Sequence, residues 1–538
     1  MIRNPILPGF NADPSICRVG DDYYIATSTF EWYPGVQIHH SRDLVNWTLV
    51  RRPLERAAQL DMRGNPDSCG VWAPCLSYAD GLFWLVYTDV KRLDGNFKDA
   101  HNYIVTSPTI EGEWSDPVYV NSSGFDPSLF HDEDGRKWFV NMQWNHRTES
   151  YGGAPKHPAF DGILLQEWDA EARALKGPIT NIFPGSPLGL VEAPHLFQRN
   201  GWYYLTTAEG GTGYNHAVTM ARSRTIEGPY ELHPNTHLIT SKDAPDAVLQ
   251  RSGHGQYVET PDGQFYHTHL CSRPLAPHRR SPLGRETGLQ KCVWQDDWLY
   301  LAQGGVVPDV DVPAPADVET IAQPARIDYR FDGKTLPADF QWLRTPEPQR
   351  IFSVTDRPGY LRLIGRESIG SWFEQSLVAR RQEHHRFRAE TAVETFDPDT
   401  YQQACGLTHY YNRHKFHALV VTLHEKLGRV VTIFSCPGDF PNSRMVFPAG
   451  SGVAVPDGPV ELAMDVMDND LQFYWRSGGS NDWEAIGPVL DAGVISDEGG
   501  RGEHASFTGA FVGMFAFDTS GRAKHADFSR FTYEANPS

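Results

Sequence analysis

A short phrase recurs through the first half of the chain, and it restricts the available folds more than any other feature. DPSICRVGDDYYIATS begins at Asp13, APCLSYADGLFWLVYT at Ala73, DPSLFHDEDGRKWFVN at Asp126 and APHLFQRNGWYYLTTA at Ala193. A weaker copy, SGHGQYVETPDGQFYHTH, begins at Ser252. Each reads as a short inner strand, a Gly/Asp-rich turn and an aromatic strand with period-two alternation. The starts lie 60, 53, 67 and 59 residues apart. A third element recurs as VQIHHSRDLVNWTLV, YIVTSPTIEGEWSDP and AVTMARSRTIEGPYEL, a strand followed by Ser-x-x-Leu or Ser-x-x-Ile, then Gly or Asn and an aromatic. Each unit thus carries at least three strands, and few stretches show sustained helical periodicity. Five such units predict an all-β chain that begins with a five-bladed β-propeller. A pair of sandwiches or a jelly roll is the alternative, and it offers no reason for the regular spacing.

A propeller sets the first strand of every blade around one axis, so equivalent residues far apart in sequence converge. Asp13 and Asp126 occupy the equivalent Asp-Pro position. The fourth unit has Ala193 there, with Glu192 just before it, and the other two offer Ala73 and Gly253. A single Asp-Pro is most simply a turn device, because Asp accepts backbone hydrogen bonds and Pro restrains the chain. The set of three reads differently. Three unpaired acids crowding an apolar axis would cost several kcal/mol without a purpose. Hydrolysis of a glycosidic bond needs such a set: one carboxyl protonated to donate to the leaving oxygen and one ionised to activate water. Crowding drives their pKa values apart, and a third carboxylate suits that task.

The pattern stops after about Trp294. GGVVPDVDVPAPADVETIAQPARIDY is rich in Pro, Val and Ala and reads as a linker. Strand-like runs resume with YLRLIG, FHALVVTLH, RVVTIFS, VELAMDVMDNDLQFYWR and FTGAFVGMFAF. The expected organisation is a propeller over 1–305, a linker over 306–326 and a β-sandwich of jelly-roll or concanavalin-like type over 327–538.

Composition narrows the partners. A formal charge of −19 disfavours nucleic acid and anionic membrane surfaces. Aromatics make up 12% of residues, which suits either a β-rich core or stacking on flat sugar faces. The 7 Cys are widely spaced and form no C-x-x-C pair, so reduced thiols in the cytoplasm are expected. MIRNPILPGF lacks an apolar stretch of signal-peptide length, and no run is apolar enough to span a membrane.

GFNADPSI, GFDPSLF and VEAPHLF, in that order and spacing, resemble the family 43 glycoside hydrolases. Over essentially the whole chain the resemblance is closer to that family's two-domain β-xylosidases, of which SFTGAFVG near the C-terminus is also typical. The resemblance implies that Asp13 is the general base, Glu192 the general acid, and Asp126 the residue that raises the acid's pKa and orients it. It implies inversion of configuration. It also places Phe30, Trp72 and Phe507 on the pocket wall, with Phe507 lent by the second domain. Arg285 would reach the terminal sugar, its plain alternative being a surface ion pair with Glu286. His254, the fifth unit's contribution, would lie beneath the site.

The expected activity is an exo-acting, inverting 1,4-β-xylosidase that releases xylose from the non-reducing end of xylooligosaccharides, with side activity on α-L-arabinofuranosides. The alternatives are an α-L-arabinofuranosidase or arabinanase, and a sugar-binding propeller without catalysis. No cofactor is expected to be required, although some related enzymes carry a divalent cation such as calcium beside the equivalent of His254, and some depend on it while others do not. Small xylooligosaccharides are the expected partners, together with further copies of the chain in a dimer or tetramer.

Overall fold

The computed structural model of the protein describes residues 1–500 and 506–536. Its strands form five sheets in the first half, each with its innermost strand near the start of one repeat. The inner strands are Ala12–Val19, Gly70–Ala79, Ser128–His131, Glu192–Arg199 and Gln250–Gly253. Within each blade the strands pair antiparallel with their sequence neighbours; the first runs Ala12–Val19, Asp22–Ser28, Gln37–Ser41, Thr48–Arg51. Blade joins to blade through the serine of the Asp-Pro-Ser phrase. Ser15 Oγ accepts from the Leu76 N–H at 3.0 Å, and Ser128 Oγ donates to the Pro194 carbonyl at 2.6 Å. The ring closes where Ser15 Oγ and the Ile16 N–H both donate to Gln256 Oε1.

The inner strands share one irregularity. Asp13, Ala73, Asp126, Ala193 and His254 all have left-handed backbones, with φ of 57°, 33°, 53°, 51° and 47°. In three blades the ladder slips across that point, between Ala12 and Ser15, Trp72 and Cys75, and Glu192 and His195, and in the fifth it slips just before it, between Gln250 and Gly253. Such a bulge re-aims a side chain, and a non-glycine residue there costs on the order of 1–3 kcal/mol. The fifth unit's equivalent position is therefore His254, one residue beyond the expected Gly253. Gly253 is instead where the backbone meets His216: a Cβ there would come within 2.2 Å of the imidazole.

The second half is a sandwich of two antiparallel sheets with a concanavalin-like architecture. The propeller lends the short strand Trp32–Tyr33 to one of them, where it pairs with Phe340–Leu343. Trp32 also stacks on Phe511 of the sandwich, with centroids 3.6 Å apart and planes within 11°. The connecting segment is more than a spacer, since Asp311–Val312 pairs with Ile2–Arg3 at the N-terminus. All seven cysteines are buried. Among the described residues no helix is long and apolar enough to cross a membrane.

Candidate active site

The left-handed Asp13, Asp126 and His254, and Glu192 just before the left-handed Ala193, line one cavity at the heads of the inner strands. One cavity of about 720 Å³ is lined by Asp13, Asp126, Glu192, His254, Arg285, Phe30, Trp72 and Phe507, all eight residues singled out in the sequence. The three acids are almost fully buried, at 4%, 7% and 8% exposure.

Asp13 is held as an anion. Burial would raise its pKa, but Arg285, His254 and a Ser28 hydrogen bond together bring it below the usual carboxylate value. Arg285 Nη1 lies 3.0 Å from Asp13 Oδ1, Ser28 Oγ donates to Oδ2 at 2.7 Å, and His254 Nδ1 lies 3.5 Å from Oδ1. Arg285 itself is 3% exposed. The alternative pair with Glu286 does not form, because Glu286 is taken by Arg273 at 2.7 Å.

The other two acids are pushed the opposite way. Burial, then the charge on Asp13, lifts Glu192 to about 8, with Arg285 and Lys98 opposing. Burial, then Glu192 and Asp13, lifts Asp126 well above the carboxylate range, against Arg285 and the Ala193 N–H. Two crowded carboxyls cannot both ionise cheaply. The site therefore presents one carboxylate held ionised and two carboxyls pushed towards the protonated form. The sequence reading took Asp126 as the charge that raises Glu192; here burial and Asp13 come first, and Asp126 is itself raised.

Three rings form the wall beside the acids. Phe30 and Trp72 lie 5.9 Å apart between centroids, Phe30 and Phe507 6.0 Å, and Trp72 and Phe507 5.6 Å. Phe507 comes from the segment just before the sandwich strand Phe511–Asp518. Arg285 fastens it, donating from Nε to the Phe507 carbonyl at 2.9 Å while its guanidinium carbon sits 5.2 Å from the Phe30 centroid. Gly284 makes this approach possible: at φ +69° a Cβ would stand 2.0 Å from the Thr508 carbonyl oxygen.

Further lining residues had no warning in the sequence. Lys98 lies on the loop between the second and third strands of its blade, and its ammonium lies 4.4 Å from the Trp144 centroid and 5.7 Å from Trp72. His216 is buried and lines the cavity, with burial holding it down to about 3. Gly211 and Thr212 of the segment GGTGYN are cavity wall. Phe125 could have been noticed, because it directly precedes Asp126 in the quoted motif.

The divalent cation that some related enzymes carry beside the equivalent of His254 would meet a poor donor set here. His195 and His254 approach with centroids 6.2 Å apart, but among the described residues no group of three His, Cys, Asp or Glu gathers to hold a metal ion. His267 and His269 are fully buried, with Nδ1 against the Thr268 and Leu270 carbonyls. The residues present do not form a protein cage, and no chemical step is derived through a metal.

Propeller, acid cluster and aromatic wall together are those of a glycoside hydrolase. A family model described as glycosyl hydrolases family 43 matches residues 2–299, and one described as the beta xylosidase C-terminal concanavalin A-like domain matches residues 328–534. The chain belongs to glycosyl hydrolases family 43. It is 58% identical to xylosidase/arabinosidase 43B of Humicola insolens, over 99% of this chain and 97% of that protein. It is 48% identical to the beta-xylosidase of Bacillus subtilis (strain 168), over 99% of both chains. The crystal structure of xylan beta-1,4-xylosidase from Bacillus halodurans C-125 superposes with a TM-score of 0.94 at 47% identity, covering 99% of this chain and 100% of that one.

Proposed function

We propose that the protein is an exo-acting, inverting 1,4-β-xylosidase acting on short xylooligosaccharides. The observation that carries this is the cavity in which one carboxyl held low in pKa and two pushed upward line the same space as a wall of three rings. In the reaction, Asp13 takes a proton from water as the water oxygen bonds to the anomeric carbon. The bond from that carbon to the glycosidic oxygen breaks, and Glu192 delivers its proton to the departing oxygen. Burial and the charge on Asp13 keep Glu192 protonated, and Asp126, pushed up in the same buried cluster, orients it. Inversion requires the base and acid to be about 6.5–9.5 Å apart, leaving space for the water. Phe507 walls one side, which suits cleavage at a chain end over cleavage within a polymer.

A second reading, α-L-arabinofuranosidase, is favoured by the printed name of the Humicola insolens relative, a xylosidase/arabinosidase. Initial rates on xylobiose, nitrophenyl β-D-xyloside and nitrophenyl α-L-arabinofuranoside, with and without a chelator, separate the two. The expected result is xylose from xylobiose, with kcat/KM on the xyloside above that on the arabinofuranoside. A reversed order assigns the arabinofuranosidase. Loss of rate with chelator, restored by calcium, would add a metal requirement. Assembly through the sandwich belongs to the same proposal and is supported by the exposed Met445, Val446, Phe447 and Val453 on that domain. A cytoplasmic location, where the buried cysteines stay reduced, also belongs to it.

A further inference from the structure

Ser68 lies outside the acid cluster, yet its side chain and backbone reach two residues of the aromatic wall and the neighbour of the third. Its Oγ accepts from the Phe507 N–H at 3.2 Å. Its carbonyl accepts from the Trp72 indole Nε1 at 2.9 Å. Its own N–H donates at 3.2 Å to Oε2 of Glu31, the residue after Phe30. Ser68 is fully buried and left-handed, with φ of 60°. Glycine would hold that backbone more easily. The residue present carries instead a hydroxyl that the second domain's wall residue uses.

The loop bearing Ser68 is anchored to the sandwich by a buried ion cluster. Arg344, 1% exposed, donates from Nε to the Asn65 carbonyl and from Nη2 to Asp67 Oδ1, both at 2.7 Å. The Arg344 N–H donates to the Glu31 carbonyl at 2.9 Å. The Ser68 loop and the Glu31 that its N–H reaches are thereby tied to the same sandwich residue.

We propose that Ser68 is a positioning residue that sets the spacing of Phe30, Trp72 and Phe507 and so couples the sandwich to binding of the terminal sugar. It touches no reacting atom; its effect is on the fit of the substrate. The inference rests on the reading of the cavity as a xylosidase site.

The test is Ser68→Gly, alone and in a Phe507→Ala background, with kinetics on xylobiose and hydrogen exchange at the Phe507 amide. Glycine keeps the backbone donor and acceptor and relieves the left-handed φ, so the unfolding temperature is expected to hold or rise. Loss of one hydrogen bond predicts a KM raised about fivefold with kcat little changed, and faster exchange at the Phe507 amide. Once the Phe507 ring is gone, the same substitution should change KM less than about twofold, because the two sites act as one unit. Unchanged KM and exchange in Ser68→Gly would overturn the proposal, as would an equal loss in both backgrounds. If the parent protein fails to cleave xylobiose, the xylosidase reading falls, and exchange at the Phe507 amide still decides whether Ser68 holds the segment.

Discussion

At Asp13 burial and charge oppose each other, and charge wins; at Glu192 they act together. That difference supports the proposed roles. Asp13 gives up its proton at a lowered pKa, so activity should fall as pH drops through that value and the base becomes protonated. Glu192 stays protonated up to about 8, so activity should fall again as pH rises past that value. A bell-shaped kcat/KM profile with its basic limb near pH 8 is expected. Glu192→Ala should lower kcat on xylobiose by roughly 10²–10⁴-fold, lose less on a nitrophenyl xyloside whose leaving group needs little protonation, and remove the basic limb. A basic limb that survives in the variant would mean another group donates the proton. Asp13, Asp126 and Glu192 were legible because a repeat states where equivalent residues meet. Lys98 and His216 were not, since each enters the cavity from a segment that the repeat does not predict.

Among the elements, the blades were readable from alternation, turn residues and spacing. The bulge that aims the axis residues was not, because it depends on a left-handed backbone at Asp, Ala and His, where the sequence shows no glycine. That is also why the fifth unit was placed one residue early. The two-residue strands were equally hidden. Trp32–Tyr33 and Asp311–Val312 are too short to show any period, and they form because tertiary partners supply their hydrogen bonds. The segment between the two halves read as a Pro-rich spacer, and its pairing with Ile2–Arg3 shows how little composition says about a short edge strand. The concanavalin-like sandwich was legible as a class from its strand runs, but its contribution to the pocket came through resemblance alone.

On the scale of the whole molecule, the two halves are interlocked and the active site needs both. Trp32 is fully buried against Phe511, and burying such a ring is worth about 1.5–3 kcal/mol or more. Arg251 pairs with Asp497 at 2.9 Å and Glu498 at 3.0 Å, and the Ser281 N–H donates to Glu498 at 2.7 Å, fixing the stretch of sandwich that precedes the pocket segment. The propeller alone, residues 1–325, should therefore aggregate on size-exclusion chromatography or fail to turn over xylobiose; a monodisperse fragment with parental kcat/KM would show the sandwich to be an appendage. The central claim is that Asp13 activates a water across the sugar from Glu192, and its stereochemistry is directly observable. Proton NMR during the first minutes of xylobiose hydrolysis should show α-xylose before mutarotation brings in the β-anomer, whereas β-xylose appearing first would contradict the account.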